Sequence, residues 1–415
     1  MQTCLWLARV MPFPQTAGDR IYSVKLAGAL AASGVDVTFA ALAGDAPPEP
    51  VEGIAWHVVP GVPFSQRRAL LSTMPLVAAR FAIPEYKSEL TRLAGSRAWD
   101  IVVLDHYSMG WVLSYRRLFG ARAPVFVYVT HDHVETVTYR QCADATIGVA
   151  KRAYLTQNYL KTRRFERATA HDCDLLTAIT EDDARTFERN DPTIRSLVLS
   201  PGYDGPRVAQ RVVDASVPRA AVLFGSYRWS AKQANLRLFM DQAGGGLTDA
   251  GIDLRIVGDM ADDFRAEMQA RYPAAIFTGF VRDPAPYLDA RVALVAEPIG
   301  GGFKMKLLEY IFRRLPILAL EACAAGLPDS VRRHMLIYPN LASLGAGVVE
   351  VIDNTALLDR LQRGAFDAAN DLFEWSRRAE ALRDGIALVQ GRRVTPSDPL
   401  IAFAPLEADA VGPGS

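Results

Sequence analysis

The chain has 415 residues, half of them apolar, and its 46 Lys and Arg balance 46 Asp and Glu to a net charge of zero. That length exceeds one ordinary hydrophobic core and predicts two domains of roughly 150–200 residues each, while the neutral balance excludes a global electrostatic case for nucleic acid. Cys4, Cys142, Cys173 and Cys323 lie far apart with no Cys-x-x-Cys pair, which excludes a disulfide framework and a zinc ribbon.

The opening segment, Met1 to Val10, is short and lacks a basic flank, so it reads as a first strand and not as a signal peptide. No apolar stretch reaches the roughly 18–20 residues of a bilayer span. These features predict a reducing, cytoplasmic location. Short apolar runs then alternate with helical patterns. Strands are expected at Leu5–Val10, Asp36–Ala41, Ile101–Leu104, Val125–Thr130, Leu175–Ile179 and Leu197–Leu199. Helices are expected at Ile21–Ser33 and Asp182–Asn190. A Pro- and Gly-rich break, Ser200–Pro218, reads as a linker. After it come strands at Ala220–Phe224, Leu254–Val257, Ala275–Thr278, Val292–Ala296, Ile317–Leu320 and Met335–Tyr338, with helices at Asn235–Ala243, Lys306–Arg313 and Thr355–Ala365. Near-continuous apolar strands separated by helices imply parallel sheets covered on both faces. The fold class is therefore α/β, with two doubly wound Rossmann-like domains. Residues 1–205 form the first and 206–375 the second. Residues 376–393 form a C-terminal helix that is expected to return to the first domain, and 394–415 a flexible tail.

Candidate functional residues fall at strand-to-helix junctions, the carboxyl ends where ligands bind in such sheets. Gly18 with Asp19 and Arg20 follows the first strand, where a helix cap is the plainer reading. His131 and His133 follow the strand Val125–Thr130; a sugar hydroxyl suits His131 better than zinc, for which no further ligand can be placed. Asp172-Cys-Asp174 precedes a strand and is set aside as a metal motif. Gly225, Ser226, Arg228, Trp229 and Lys232 follow the strand Ala220–Phe224, and cations there suit a phosphate.

The densest segment is Glu297-Pro-Ile-Gly300-Gly301-Gly302-Phe303-Lys304-Met-Lys306-Leu-Leu-Glu309. Alone, a glycine triplet is an ordinary strand–turn–helix connection. Followed by two lysines and a carboxylate, it has the chemistry expected of a diphosphate site. Glycines let backbone N–H groups approach an anion, and the start of the next helix carries partial positive charge.

Taken together, these residues resemble the family 4 type of glycosyltransferases with the GT-B fold, in which two Rossmann-like domains face a central cleft. The resemblance rests on Pro12 to Ile21, Glu166 with Cys173 to Ala184, Pro201-Gly-Tyr-Asp204, Gly225-Ser226, Val257-Gly258, Gly279-Phe-Val-Arg-Asp283 and Gly302 to Glu309 in order. The last segment resembles the Gly-x-Lys-x-Lys-x-x-Glu variant of the donor-binding motif. It implies a retaining, metal-independent transfer of a sugar, a hexose by preference, from a nucleotide-sugar co-substrate to a glycan, lipid-linked or small-molecule acceptor. Glu309 would bind ribose, and Gly279, Phe280 and Val281 would border the base. Arg228, Lys232 and the amides of Gly301–Phe303 would stabilise the departing diphosphate, with His131 beside the sugar.

Two features depart from the family pattern. Gly301 stands where the commonest motif has a first glutamate, Glu297 lying further back before Pro298, and Arg313-Arg314-Leu315-Pro316 replaces the usual small residues. A catalytically silent binding subunit, or a nucleotide-sugar epimerase on the same fold, therefore stays open on the sequence. The mixed basic and apolar stretch Val62–Leu90 leaves open an acceptor groove, peripheral contact with a membrane surface, or an ordinary loop and helix.

Overall fold

The computed structural model describes residues 1–15, 17–120, 123–132, 140, 143 and 148–391; His133 and the tail from 394 lie outside them. The chain divides into two compact units, crossing from the first to the second after Ser200 and returning after Glu374.

The first unit is built on seven strands: β1 (Gln2–Val10), β2 (Val35–Leu42), β3 (Ile54–Val59), β4 (Ile101–Asp105), β5 (Val125–Val129), β6 (Leu175–Ala178) and β7 (Ser196–Val198). They form one sheet in the order β3-β2-β1-β4-β5-β6-β7, every neighbouring pair parallel. β4, β5 and β6 are buried throughout, as strands covered on both faces must be. β3 is an edge strand with one buried residue; its Ile-Ala-Trp-His-Val-Val carries no long apolar run, and the sequence pattern does not announce it. The final helix, Trp375–Val389, also belongs to this unit. Its Gly385 lies close against Leu175 and Leu197, where a Cβ would meet both side chains at 3.1–3.2 Å.

The second unit carries β8 (Ala220–Phe224), β9 (Asp253–Val257), β10 (Ile276–Phe277), β11 (Val292–Val295), β12 (Ile317–Leu320) and β13 (Leu336–Tyr338). The sheet order is β10-β9-β8-β11-β12-β13, again all parallel. A single large apolar cluster fills it, with Phe239, Tyr310 and Phe312 fully buried. The helix expected at Asn235–Ala243 begins earlier, at Ser230, and runs to Phe239 before a π-helical turn at Met240–Gly244. Among the described residues no single helix is long and apolar enough to cross a membrane.

In both sheets the parallel arrangement sends every strand's carboxyl end to the same edge. The loops after β1, β4 and β5 therefore share one edge of the first unit, and those after β8, β9, β10 and β11 share one edge of the second.

Candidate functional site

In the second unit the site starts from two loops that lie back to back. The loop after β8 is held by Gly225 N–H donating to Val257 O at 3.0 Å and Tyr227 N–H to Asp259 O at 2.6 Å. This approach requires glycine at position 258, which has φ +132° and whose Cβ would run into the Gly225 carbonyl. The helix Ser230–Phe239 follows, with Lys232 in its first turn and the buried Asn235 one turn on. Asn235 brackets the loop after β11: its Nδ2 donates to Ile299 O and its Oδ1 accepts from Ile299 N–H, both at 2.8 Å.

That clamp fixes the turn in which Gly300 and Gly302 adopt φ of +110° and +68°. Beyond the turn, Lys304 and Lys306 come back onto Glu297, which is 5 % exposed and lies two residues past the end of β11. Lys306 Nζ lies 2.6 Å from Glu297 Oε1, and Lys232 Nζ donates to Oε2. Lys304 Nζ stands 3.8 Å from Oε2 and donates to Gly301 O at 2.6 Å. Three ammoniums from two segments of the chain thus surround one buried carboxylate. A Cβ on Gly225 would sit 3.1 Å from Lys306 Nζ, so this glycine leaves the approach to the cluster open.

The electrostatics follow from this crowding. Burial pushes the Glu297 carboxyl up, but the nearby Lys306, Lys232 and Lys304 outweigh it and hold the group well below the usual range. Burial, reinforced by repulsion from Lys306 and Lys304, takes Lys232 down to about 8 against the pull of Glu297. Its side chain still keeps 27 % of its surface in solvent.

The other sequence candidates of this unit lie around the cluster. Arg228 is not part of it: its guanidinium, 64 % exposed, pairs with Asp259 at 2.9 Å. Ser226 is exposed. Gly279 has φ +70°, Phe280 is 74 % exposed and Val281 packs on the core, all after β10. Phe303 packs inward near Phe373. Glu309 accepts from Tyr203 Oη at 2.8 Å and from Arg313.

The first unit has a second cluster at its sheet edge. Asp105, the last residue of β4, is 4 % exposed and lies level with Val129 of β5. His131, two residues further along, brings Nε2 to 2.7 Å from Asp105 Oδ1, while Trp6 Nε1–H donates to Oδ2 at 2.8 Å. Burial would lower the His131 pKa, but the Asp105 hydrogen bond and charge, with Asp19 and Asp132, raise it above the ordinary value. Asp105 is lowered: burial raises it, but His131, with hydrogen bonds from Ser23 and Trp6, overcomes that. His131 Nδ1 is buried and has no hydrogen-bond partner among the described residues. The neighbouring His106 sits at φ +80°, a conformation non-glycine residues rarely hold, with Nδ1 against Ser108 Oγ at 2.9 Å. Gly18 opens the helix Gly18–Ala32 after β1, and Arg20 pairs with Asp45. Asp174 is structural, clasped by Arg116 at 2.6 Å and by Phe126 N–H at 2.8 Å.

Residues 18–202 match the model of the glycosyl transferase 4-like domain, and residues 218–354 that of glycosyl transferases group 1. The chain is a glycosyltransferase of the family 4 type. Its fold is GT-B, and solved structures share it. Sucrose-phosphate synthase (tll1590) from Thermosynechococcus elongatus is similar with a TM-score of 0.70 at 15% identity, over 94% of this chain and 100% of that one. WaaG, a glycosyltransferase involved in lipopolysaccharide biosynthesis, gives 0.62 at 18% over 94% and 100%. Anabaena Alr3699/HepE, in complex with UDP and glucose, gives 0.63 at 13% over 94% and 100%. A comparison with curated protein sequences finds no match. The sequence of this glycosyltransferase does not by itself mark Asp105, Trp6 or Asn235 as site residues or tie Glu297 to the lysine cluster. A carboxylate ending the apolar strand before His131's own was the available signal for Asp105.

Proposed function

We propose that this glycosyltransferase moves a sugar, a hexose by preference, from a nucleotide-sugar donor to a glycan, lipid-linked or small-molecule acceptor with retention of configuration. The observation that carries the reading is the lysine cluster: three ammoniums less one carboxylate leave two positive charges beside a glycine turn at the carboxyl edge of the second sheet. That charge matches a diphosphate and serves in place of a divalent ion on the leaving group. The HepE structure with UDP-glucose supports a nucleotide-sugar as the donor class.

In this reading Lys232, Lys304, Lys306 and the amides of Gly300–Phe303 hold the diphosphate. Arg228 exchanges Asp259 for a phosphate oxygen. Glu309 accepts from the ribose hydroxyls, and the Gly279–Val281 backbone borders the base. In the first unit, the His131 imidazole held by Asp105 serves a sugar hydroxyl. The bond from the anomeric carbon to the diphosphate breaks, the acceptor oxygen takes its place on the same face, and a phosphate oxygen receives the acceptor's proton.

A thermal-shift screen against UDP, GDP, ADP and dTDP, with and without a chelator, tests this. One nucleotide at a hundredfold excess over its Kd should stabilise the protein by about 2.7 kcal/mol, whether or not the chelator is present. No shift with any of the four would remove the reading.

We further propose peripheral contact with an anionic membrane surface through the segment that follows β3. Val62 and Leu71 are 80 % and 90 % exposed there, beside the exposed Arg67 and Arg68. Co-sedimentation with phosphatidylglycerol vesicles, lost in Leu71→Glu and absent with phosphatidylcholine, is the expected result; equal recovery with both lipids would refute it.

A further inference from the structure

The carboxylate at the centre of the lysine cluster belongs to no part of the donor-binding motif. Glu297 precedes Pro298 and the glycine turn, and it is nearly inaccessible, with only 6 % of its side chain exposed. Yet both its oxygens are engaged by ammoniums from separate elements, Lys232 on the helix after β8 and Lys306 beyond the turn after β11. Lys304, itself 7 % exposed, completes the ring at 3.8 Å.

Lysines do not gather like this unaided. Ammoniums a few ångströms apart and partly out of water repel, and each side chain sacrifices rotamer freedom to stay in place. A single buried anion at the centre reverses both effects: it attracts all three and fixes the directions in which their remaining N–H bonds point. Its own backbone is secured independently, because Cys323 Sγ–H donates to Glu297 O at 3.4 Å and Asn235 clamps Ile299 two residues on. The anchor is therefore stiffer than the three flexible chains it organises.

We propose that Glu297 is a positioning residue, which assembles Lys232, Lys304 and Lys306 into a preformed cationic cradle for the donor's diphosphate. This rests on the donor site assigned above. Glu297 touches no substrate in this role; it acts through the lysines. It removes one of three positive charges and in return holds the other groups where two phosphates need them.

The test compares wild type, Glu297→Gln and Glu297→Asp by calorimetry with UDP, GDP, ADP, dTDP, their bare nucleosides and inorganic pyrophosphate. A positioning role predicts that Glu297→Gln weakens the nucleoside diphosphate and pyrophosphate tenfold or more and leaves the nucleoside unchanged. Glu297→Asp, which keeps the charge but withdraws it by one methylene, should fall between and remain folded if Glu297→Gln does not. Unchanged or tighter pyrophosphate binding in either folded variant would overturn the proposal, since a carboxylate that merely opposes the anion gives that result. Equal losses for nucleoside and diphosphate would overturn it too, as the mark of a general structural role. Wild type that binds pyrophosphate but no nucleotide would refute the donor reading while the variants still decide the role of Glu297.

Discussion

The Asp105–His131 pair makes a prediction whose size and pH dependence both follow from the geometry. Asp105 accepts hydrogen bonds from His131 Nε2 and Trp6 Nε1 in a site 4 % exposed, with the Ser23 hydroxyl beside it. In Asp105→Asn only one side-chain oxygen remains, so one buried donor must face the new NH₂ group. An unsatisfied buried group costs about 1–3 kcal/mol, and full truncation to Ala, which strands a buried imidazolium, about 3–5 kcal/mol. The sign with pH is fixed by the two shifts. His131 is raised, so its contribution is complete below its unfolded value, near 6.5, and is lost as pH rises through the higher folded value. Asp105 is lowered, so its contribution is present above its unfolded value, near 4, and is lost as pH falls toward the folded one. The pair therefore stabilises most between roughly pH 4 and 6.5. Hydrogen exchange of β1, β4 and β5 amides, followed by mass spectrometry at pH 6 and pH 8, reads the first unit alone. Asp105→Asn should accelerate exchange in these strands more at pH 6 than at pH 8. An equal loss at both values would refute an ionised pair and leave only a neutral hydrogen bond.

Further outcomes concern the second unit. Because Lys232 is brought down to about 8, chiefly by burial, its ammonium is lost as pH rises through that value, and nucleoside diphosphate affinity should fall between pH 7 and pH 9. Calorimetry near pH 8 in buffers of different ionisation enthalpy should show proton uptake on binding in wild type and none in Lys232→Met; affinity level to pH 9 would contradict this. Replacing Asn235 by Leu leaves Ile299 N–H and C=O without their partners, at about 1–3 kcal/mol. The donor KM should rise several-fold, with Asn235→Asp intermediate because it keeps one acceptor, and an unchanged KM in the Leu variant would show that the clamp does not shape the turn.

How far these sites could be read from the sequence depends on what kind of information each one uses. Strands such as Ile101–Asp105 and Val125–Val129 are continuous apolar runs because both faces are buried, and one-dimensional pattern suffices for them. β3 escapes the same reading because it is an edge, where one side is wet and the alternation blurs. Lys232, Lys304 and Lys306 stand out because cations beside glycine turns at strand ends are chemically unusual wherever the chain places them. Glu297 has the opposite difficulty. Measured along the chain it lies too far back from the motif to join it, and only the positive-φ turn at Gly300 and Gly302 folds the lysines back over it. Arg228 shows the converse: its residue type suits a phosphate, yet the loop after β9 sets Asp259 against its guanidinium. Asp105 and His131 are 26 residues apart, and nothing local connects them. Their meeting is a matter of register, since adjacent parallel strands that begin level also end level. In an all-parallel sheet, then, the informative question for a polar residue is which strand it terminates and which strand lies beside that one. Asked of Asp105, whose strand β4 is flanked by β1 and β5, it leads directly to His131 and Trp6.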